Sequence, residues 1–157
     1  MKSDKNVREM GFEGAGPKIM LPMFLTAAIS AVVSYSYRPL FNYPVTSVWT
    51  LVFGVLFLVI GVPFWFLAAR TFFLAFSKGQ LATQGPYAIM PNPIYGSFMV
   101  LVIPGVSLVL NSWPILLTSA LGCSTLRMFI HKEVNVLRDK FGNEYNEYRR
   151  KVLIKFL

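Results

Sequence analysis

Long apolar runs separated by short polar breaks dominate the chain. Four of them, at about residues 19–37, 46–69, 93–110 and 113–130, come near the roughly 20 helical residues needed to cross a bilayer core. The second continues past Arg70 through "TFFLAFSK" and contains Pro63, so a kink is expected near the residue before that proline. Only "NSW" joins the third to the fourth, which demands an antiparallel helical hairpin. Beyond residue 130 the pattern changes to "HKEVNVLRDKFGNEYNEYRRKVLIKFL", in which Val134, Leu137 and Phe141 recur at helical spacing among charges. Gly142 fits a helix stop, and "NEYNEYRRKV" fits a second short helix. The leading "MKSDKNVREMGFEGAGPK" is polar and of mixed charge. The apolar run after it starts too late and lasts too long for a signal peptide, so it reads as a cytoplasmic lead with one amphipathic turn. The pattern predicts an all-α integral membrane protein forming a single domain over 1–157. It has a lead over 1–18, four transmembrane helices over 19–130 and a cytoplasmic amphipathic helix pair over 131–157.

Composition agrees, with 55% hydrophobic and 14% charged residues among 157. A net charge of +8 would suggest nucleic acid in a soluble protein, but basic residues flanking apolar spans are topology signals first, and no nucleic acid partner is expected. Lys2, Lys5, Arg8 and Lys18 precede the first span, Arg70 and Lys78 follow the second, and eight more lie from Arg127 onward. Of the 15 basic residues only Arg38 falls on the other side, so both termini should be cytoplasmic, in a prokaryotic plasma membrane or an endoplasmic reticulum. Tyr35, Tyr37, Tyr43, Trp49 and Trp113 gather near span ends on the opposite side, as an aromatic belt would. One cysteine, Cys123, and one histidine, His131, make neither a disulfide framework nor a metal site. Cys123 reads as a small core residue.

The stretch "GPYAIMPNPIYG", from Gly85 to Gly96, holds three prolines, two tyrosines, two glycines and an asparagine. It must be a shaped turn and not a regular helix. This turn with Gly85, Pro86, Tyr87, Asn92, Pro93 and Tyr95, followed by Glu133, Leu137, Phe141, Gly142, Tyr145 and Tyr148, resembles the C-terminal half of the isoprenylcysteine carboxyl methyltransferase family. The likeness covers about half the chain, from Gln84 to about Val152. It departs from the family pattern at Pro91 for arginine, Asn92 for histidine, Val134 for the second glutamate of a pair, and Ser97 for a glycine, with Gly96 displaced by one.

The resemblance implies a pocket for S-adenosylmethionine at the cytosolic membrane edge, and a lipophilic acceptor, such as a prenylcysteine-like carboxylate, arriving from the bilayer. S-adenosylmethionine carries a sulfonium, a zwitterionic amino acid end and a flat adenine, which call for aromatic faces, neutral hydrogen bonders and a carboxylate. Tyr87, Tyr95, Asn92 and Glu133 are of those types, with Gly85, Pro86 and Pro93 setting the turn. Each has a plainer reading: Tyr87 and Tyr95 as interfacial aromatics, Asn92 as the cap of the third span, and Glu133 as a solvated helix residue.

Arg127 lies within the fourth apolar run, where it either snorkels or binds an acceptor carboxylate or phosphate, with His131 one turn on. These two are the candidate catalytic residues. Glu133 stands about 240° around the helix from Arg127 at about 100° per residue, so all three cannot face one point on a straight helix. An anionic acceptor needs alignment and desolvation, whereas an amine must also lose a proton, to His131 or a tyrosine. Two other functions share the pattern. A sterol-reductase type enzyme would bind a nicotinamide dinucleotide through Arg127, Lys132 and Arg138. A non-enzymatic lipid-binding protein would keep only the fold.

Overall fold

A backbone in hydrocarbon has to satisfy its own polar groups, so the apolar runs fold as helices. The computed structural model describes residues 15–44 and 48–155. The expected amphipathic turn with Lys2, Lys5 and Arg8, the start of the second span at 46, and residues 156–157 lie outside that range. The elements are α1 (Ala15–Ser36), α2 (Arg38–Phe41), α3 (Val48–Ser77), α4 (Pro86–Ile89), α5 (Pro93–Val109), α6 (Leu116–Phe141) and α7 (Asn143–Lys151). A 3-10 turn, Trp113–Ile115, leads into α6. There is no strand among the described residues.

Three segments, Pro17–Ser36, Val48–Ser77 and Trp113–Phe141, are long and apolar enough to cross a membrane, and Pro93–Val109 is a shorter apolar helix beside them. α3 stays helical through Pro63 and runs for 30 residues. That is about 45 Å at 1.5 Å per residue, well over the ~30 Å of a bilayer core. One end of α3 therefore projects beyond the apolar layer, and its last turns carry Phe72 and Phe76. The two C-terminal helices meet at Gly142, whose φ of 51° suits glycine and whose N–H bonds the Arg138 carbonyl at 2.8 Å.

The helices pair through small residues. On α3 the buried positions are Gly54, Gly61 and Ala68, seven apart, which makes one narrow stripe facing α5. A Cβ on Gly61 would stand 2.6 Å from the Cβ of Leu101. Alongside, α1 packs on α6, and Ile19, Met23, Met99, Ile103, Ile115 and Leu126 form the buried core between the helices.

The middle of α5 is a π segment, Phe98–Val102, separated from Pro104 only by Ile103. Proline has no N–H to give the preceding turn, and the Ile103 N–H reaches back to Phe98. The Met99 carbonyl is bypassed by this register, and Ser119 of α6 donates its hydroxyl to it at 2.9 Å. A neighbouring helix thus completes the broken ladder.

At the end away from Gly142, Ser34 and Ser112 hydroxyls lie 2.6 Å apart, and the Tyr43 and Ser107 hydroxyls 2.7 Å apart. Tyr43 is therefore a clamp within the protein, while Tyr35, Tyr37, Trp49 and Trp113 stay exposed.

Candidate active site

The turn between α3 and α5 takes its shape from its own chemistry. Gly85 sits at φ 59°, ψ −128°, in a region that side chains resist, and delivers the chain into α4, which Pro86 starts. Pro86 and Tyr87 are buried. After Met90 returns to an extended backbone, Asn92 stands at the N-cap of α5 with φ −126° and ψ 60°, and the buried Pro93 opens the helix.

The expected cap by the Asn92 amide is not made. The Asn92 backbone carbonyl accepts from the Gly96 N–H at 2.9 Å, and its side chain makes no capping bond. The side chain lines a cavity instead.

That cavity, of about 60 Å³, lies between the turn, the projecting end of α3, the last turns of α6, and α7. Its aromatic walls are Phe72, Phe76, Tyr87, Phe141, Tyr145 and Tyr148. The C-terminal helix and the segment after it are fastened over the turn by one bond each. Tyr148 donates its hydroxyl to the Tyr87 carbonyl at 2.8 Å, and the Ile154 N–H bonds the Ile89 carbonyl at 2.8 Å. Tyr145, Tyr148 and Val152 are buried against Tyr87.

Burial, reinforced by Tyr148 and Glu133, pushes the Tyr87 phenol well above its ordinary range, and burial does the same for Tyr148. An open groove of about 690 Å³ adjoins the cavity across Gln80, Leu81 and Ala82, with Thr71, Lys78 and Glu144 on its far side. A nucleoside-sized ligand exceeds the cavity alone, since ligand pockets typically enclose about 300–1,000 Å³. Such a ligand has to spread the walls or extend into this groove.

Tyr95 donates its hydroxyl to Glu133 Oε1 at 3.2 Å, joining α5 to α6 at the cavity. Among the cavity's lining residues only Glu133 and Lys140 carry charge. Gly85, Pro86, Tyr87, Asn92, Pro93, Tyr95 and Glu133 are thus brought together, as walls, as shape-makers of the turn, or through the Tyr95–Glu133 bond.

Arg127 and His131 are not. Both are exposed and neither lines the cavity, because α6 stays helical through residue 133 and turns them away from Glu133. Lys132 and Arg138 are exposed too, so the basic set expected to hold a dinucleotide does not converge on this cavity. Sequence reading missed Phe72, Phe76 and Lys140. The signal for the first two was the apolar face "FFLAF" continuing past Arg70, beyond what the membrane requires.

The described residues form a helical bundle of membrane-spanning length with a polar and aromatic cavity at one end. Residues 45–144 match the phospholipid methyltransferase family model, and the chain belongs to that family. Its members are integral membrane methyltransferases related to the isoprenylcysteine carboxyl methyltransferases, so the resemblance in the sequence is borne out. The protein is a membrane-embedded methyltransferase. No curated protein and no solved structure matches the chain.

Proposed function

We propose that the protein transfers a methyl group from S-adenosylmethionine to a lipid headgroup that enters from the bilayer, a phospholipid amine in preference to a prenylcysteine-like carboxylate. The observation carrying this choice is Glu133, the one carboxylate lining the cavity, hydrogen-bonded by Tyr95. An anionic acceptor would meet like charge there. An ammonium headgroup meets a counter-ion and a group able to take the proton it must lose before it can act as a nucleophile.

Bound in the cavity, S-adenosylmethionine supplies an electrophilic methyl on a cationic sulfur. The side chains present suit it: aromatic rings for the cation, Asn92 for hydrogen bonds, and Glu133 as a counter-charge to the sulfonium. Tyr87 and Tyr148, neutral phenols buried against one another, line it without adding charge. In this reading Arg127 and His131, four residues apart on the exposed face of α6, grip the acceptor's phosphate from the lipid side.

Purified protein in mixed micelles, given S-adenosylmethionine labelled in its methyl group, should label phosphatidylethanolamine and leave a farnesylcysteine acceptor unlabelled. Label in the farnesylcysteine alone would reverse the choice of acceptor, and label in neither would remove both.

The distribution of basic residues supports a cytoplasmic position for the cavity, on the side where the methyl donor is made. In a Cys123→Ala background, a cysteine at Asn42 should react with an impermeant maleimide added outside intact cells. Cysteines at Gly79 or Asn143 should react only after lysis, and the opposite result would place the site outside.

A further inference from the structure

Lys140 is the one cation at the cavity, and rings hold it. Its Nζ lies 6.0 Å from the Phe76 ring centre and 5.2 Å from that of Phe141. Phe76 in turn stacks on Phe72 at 5.6 Å, with 19° between the planes. Electron-rich ring faces attract a cation within about 6 Å, and the pair of walls from α3 and α6 is therefore a seat for positive charge. A trialkylsulfonium has no N–H to donate, so aromatic faces are among the few neutral groups that favour it. A lysine ammonium is strongly hydrated and can leave such faces for water at little cost.

We propose that the Phe76 and Phe141 faces are the seat of the donor's sulfonium, and that Lys140 fills this seat in the empty site and is displaced when the cation binds. Lys140 is then a specificity-determining residue: its competition acts on the cationic donor and not on the neutral thioether left after transfer. It thereby sets the balance between substrate and product affinity. This rests on the assignment of S-adenosylmethionine as donor.

Lys140 is exposed at the end of α6, so its substitution should leave the fold intact. Lys140→Gln should tighten S-adenosylmethionine by about fivefold, the equivalent of roughly 1 kcal/mol of cation–π attraction, while S-adenosylhomocysteine changes less than twofold. Lys140→Arg keeps the charge and grips rings more firmly, so it should weaken S-adenosylmethionine alone. Phe76→Leu should likewise weaken S-adenosylmethionine and spare the thioether.

In protein with isotope-labelled lysine, the Lys140 ε-methylene resonances should be shifted upfield by the rings. S-adenosylmethionine or trimethylsulfonium should abolish that shift. An affinity ratio between donor and thioether that is the same in all four proteins would overturn the proposal, as would an unshifted Lys140 signal in the ligand-free protein. If trimethylsulfonium moves the signal while neither S-adenosylmethionine nor its thioether binds, the cation seat stands and the donor assignment falls. If S-adenosylmethionine binds and leaves the signal in place, the donor assignment stands and the seat falls.

Discussion

Glu133→Gln should lower S-adenosylmethionine affinity about 10- to 100-fold and abolish measurable turnover. The substitution preserves shape and removes the single negative charge from the cavity lining. Losing a charged hydrogen-bond partner at a part-buried site costs about 1.5–3 kcal/mol. Turnover suffers further because the amide cannot take a proton from an amine acceptor. Tyr95→Phe, which removes the donor 3.2 Å from Glu133 Oε1, should reproduce a smaller part of the binding loss, about threefold to tenfold. Arg127→Ala should leave donor affinity unchanged and raise the acceptor KM, since the exposed Arg127 does not line the cavity. Equilibrium dialysis with labelled donor reads all three. Equal losses of donor affinity in the three variants would refute this division of labour.

The second large effect is on the fold. Gly61→Leu should lower stability by about 3 kcal/mol, seen as a lower Tm in detergent and loss of a monodisperse peak. A leucine is the better helix former by nearly 1 kcal/mol, yet that gain is outweighed. Its Cβ alone would sit 2.6 Å from the Leu101 Cβ and 3.3 Å from Val102 Cγ2, so α3 and α5 must separate, and overpacking of this kind costs about 1–3 kcal/mol or more. Val59→Leu on the exposed side of the same helix should leave Tm where it was. Because α5 begins at Pro93 beside the turn, forcing the two helices apart should also weaken donor binding. An unchanged Tm for Gly61→Leu would mean that the α3–α5 contact is looser than drawn.

How much of the site was legible followed from how far each residue acts through its neighbours in sequence. The turn from Gly85 to Gly96 could be recognised because proline and glycine restrict the backbone locally, and Gly85 does adopt the positive φ that only glycine takes easily. Glu133 could be picked out only through its match to the glutamate of the family pattern, since its spacing alone fits a solvated helix residue equally well. The separation of Arg127 from Glu133 also followed from the helical repeat, and the structure keeps them apart. The Asn92 cap did not hold, because its side chain lies against the cavity while the backbone alone starts α5.

By itself the sequence determined the membrane class, the helical hairpins and the existence of a stiff turn, since these depend on hydrophobic length and on backbone chemistry within a few residues. Only the tertiary structure decided which side chains share the cavity. Phe76, Tyr87, Lys140 and Tyr148 come from four separate elements, and nothing local in their sequence brings them together. Their meeting depends on α3 outrunning the bilayer, on the glycine stripe that sets the distance between α3 and α5, and on the Tyr148 bond that folds α7 back over the turn. The last two are contacts between residues distant in the chain, fixed by packing and not by local propensity.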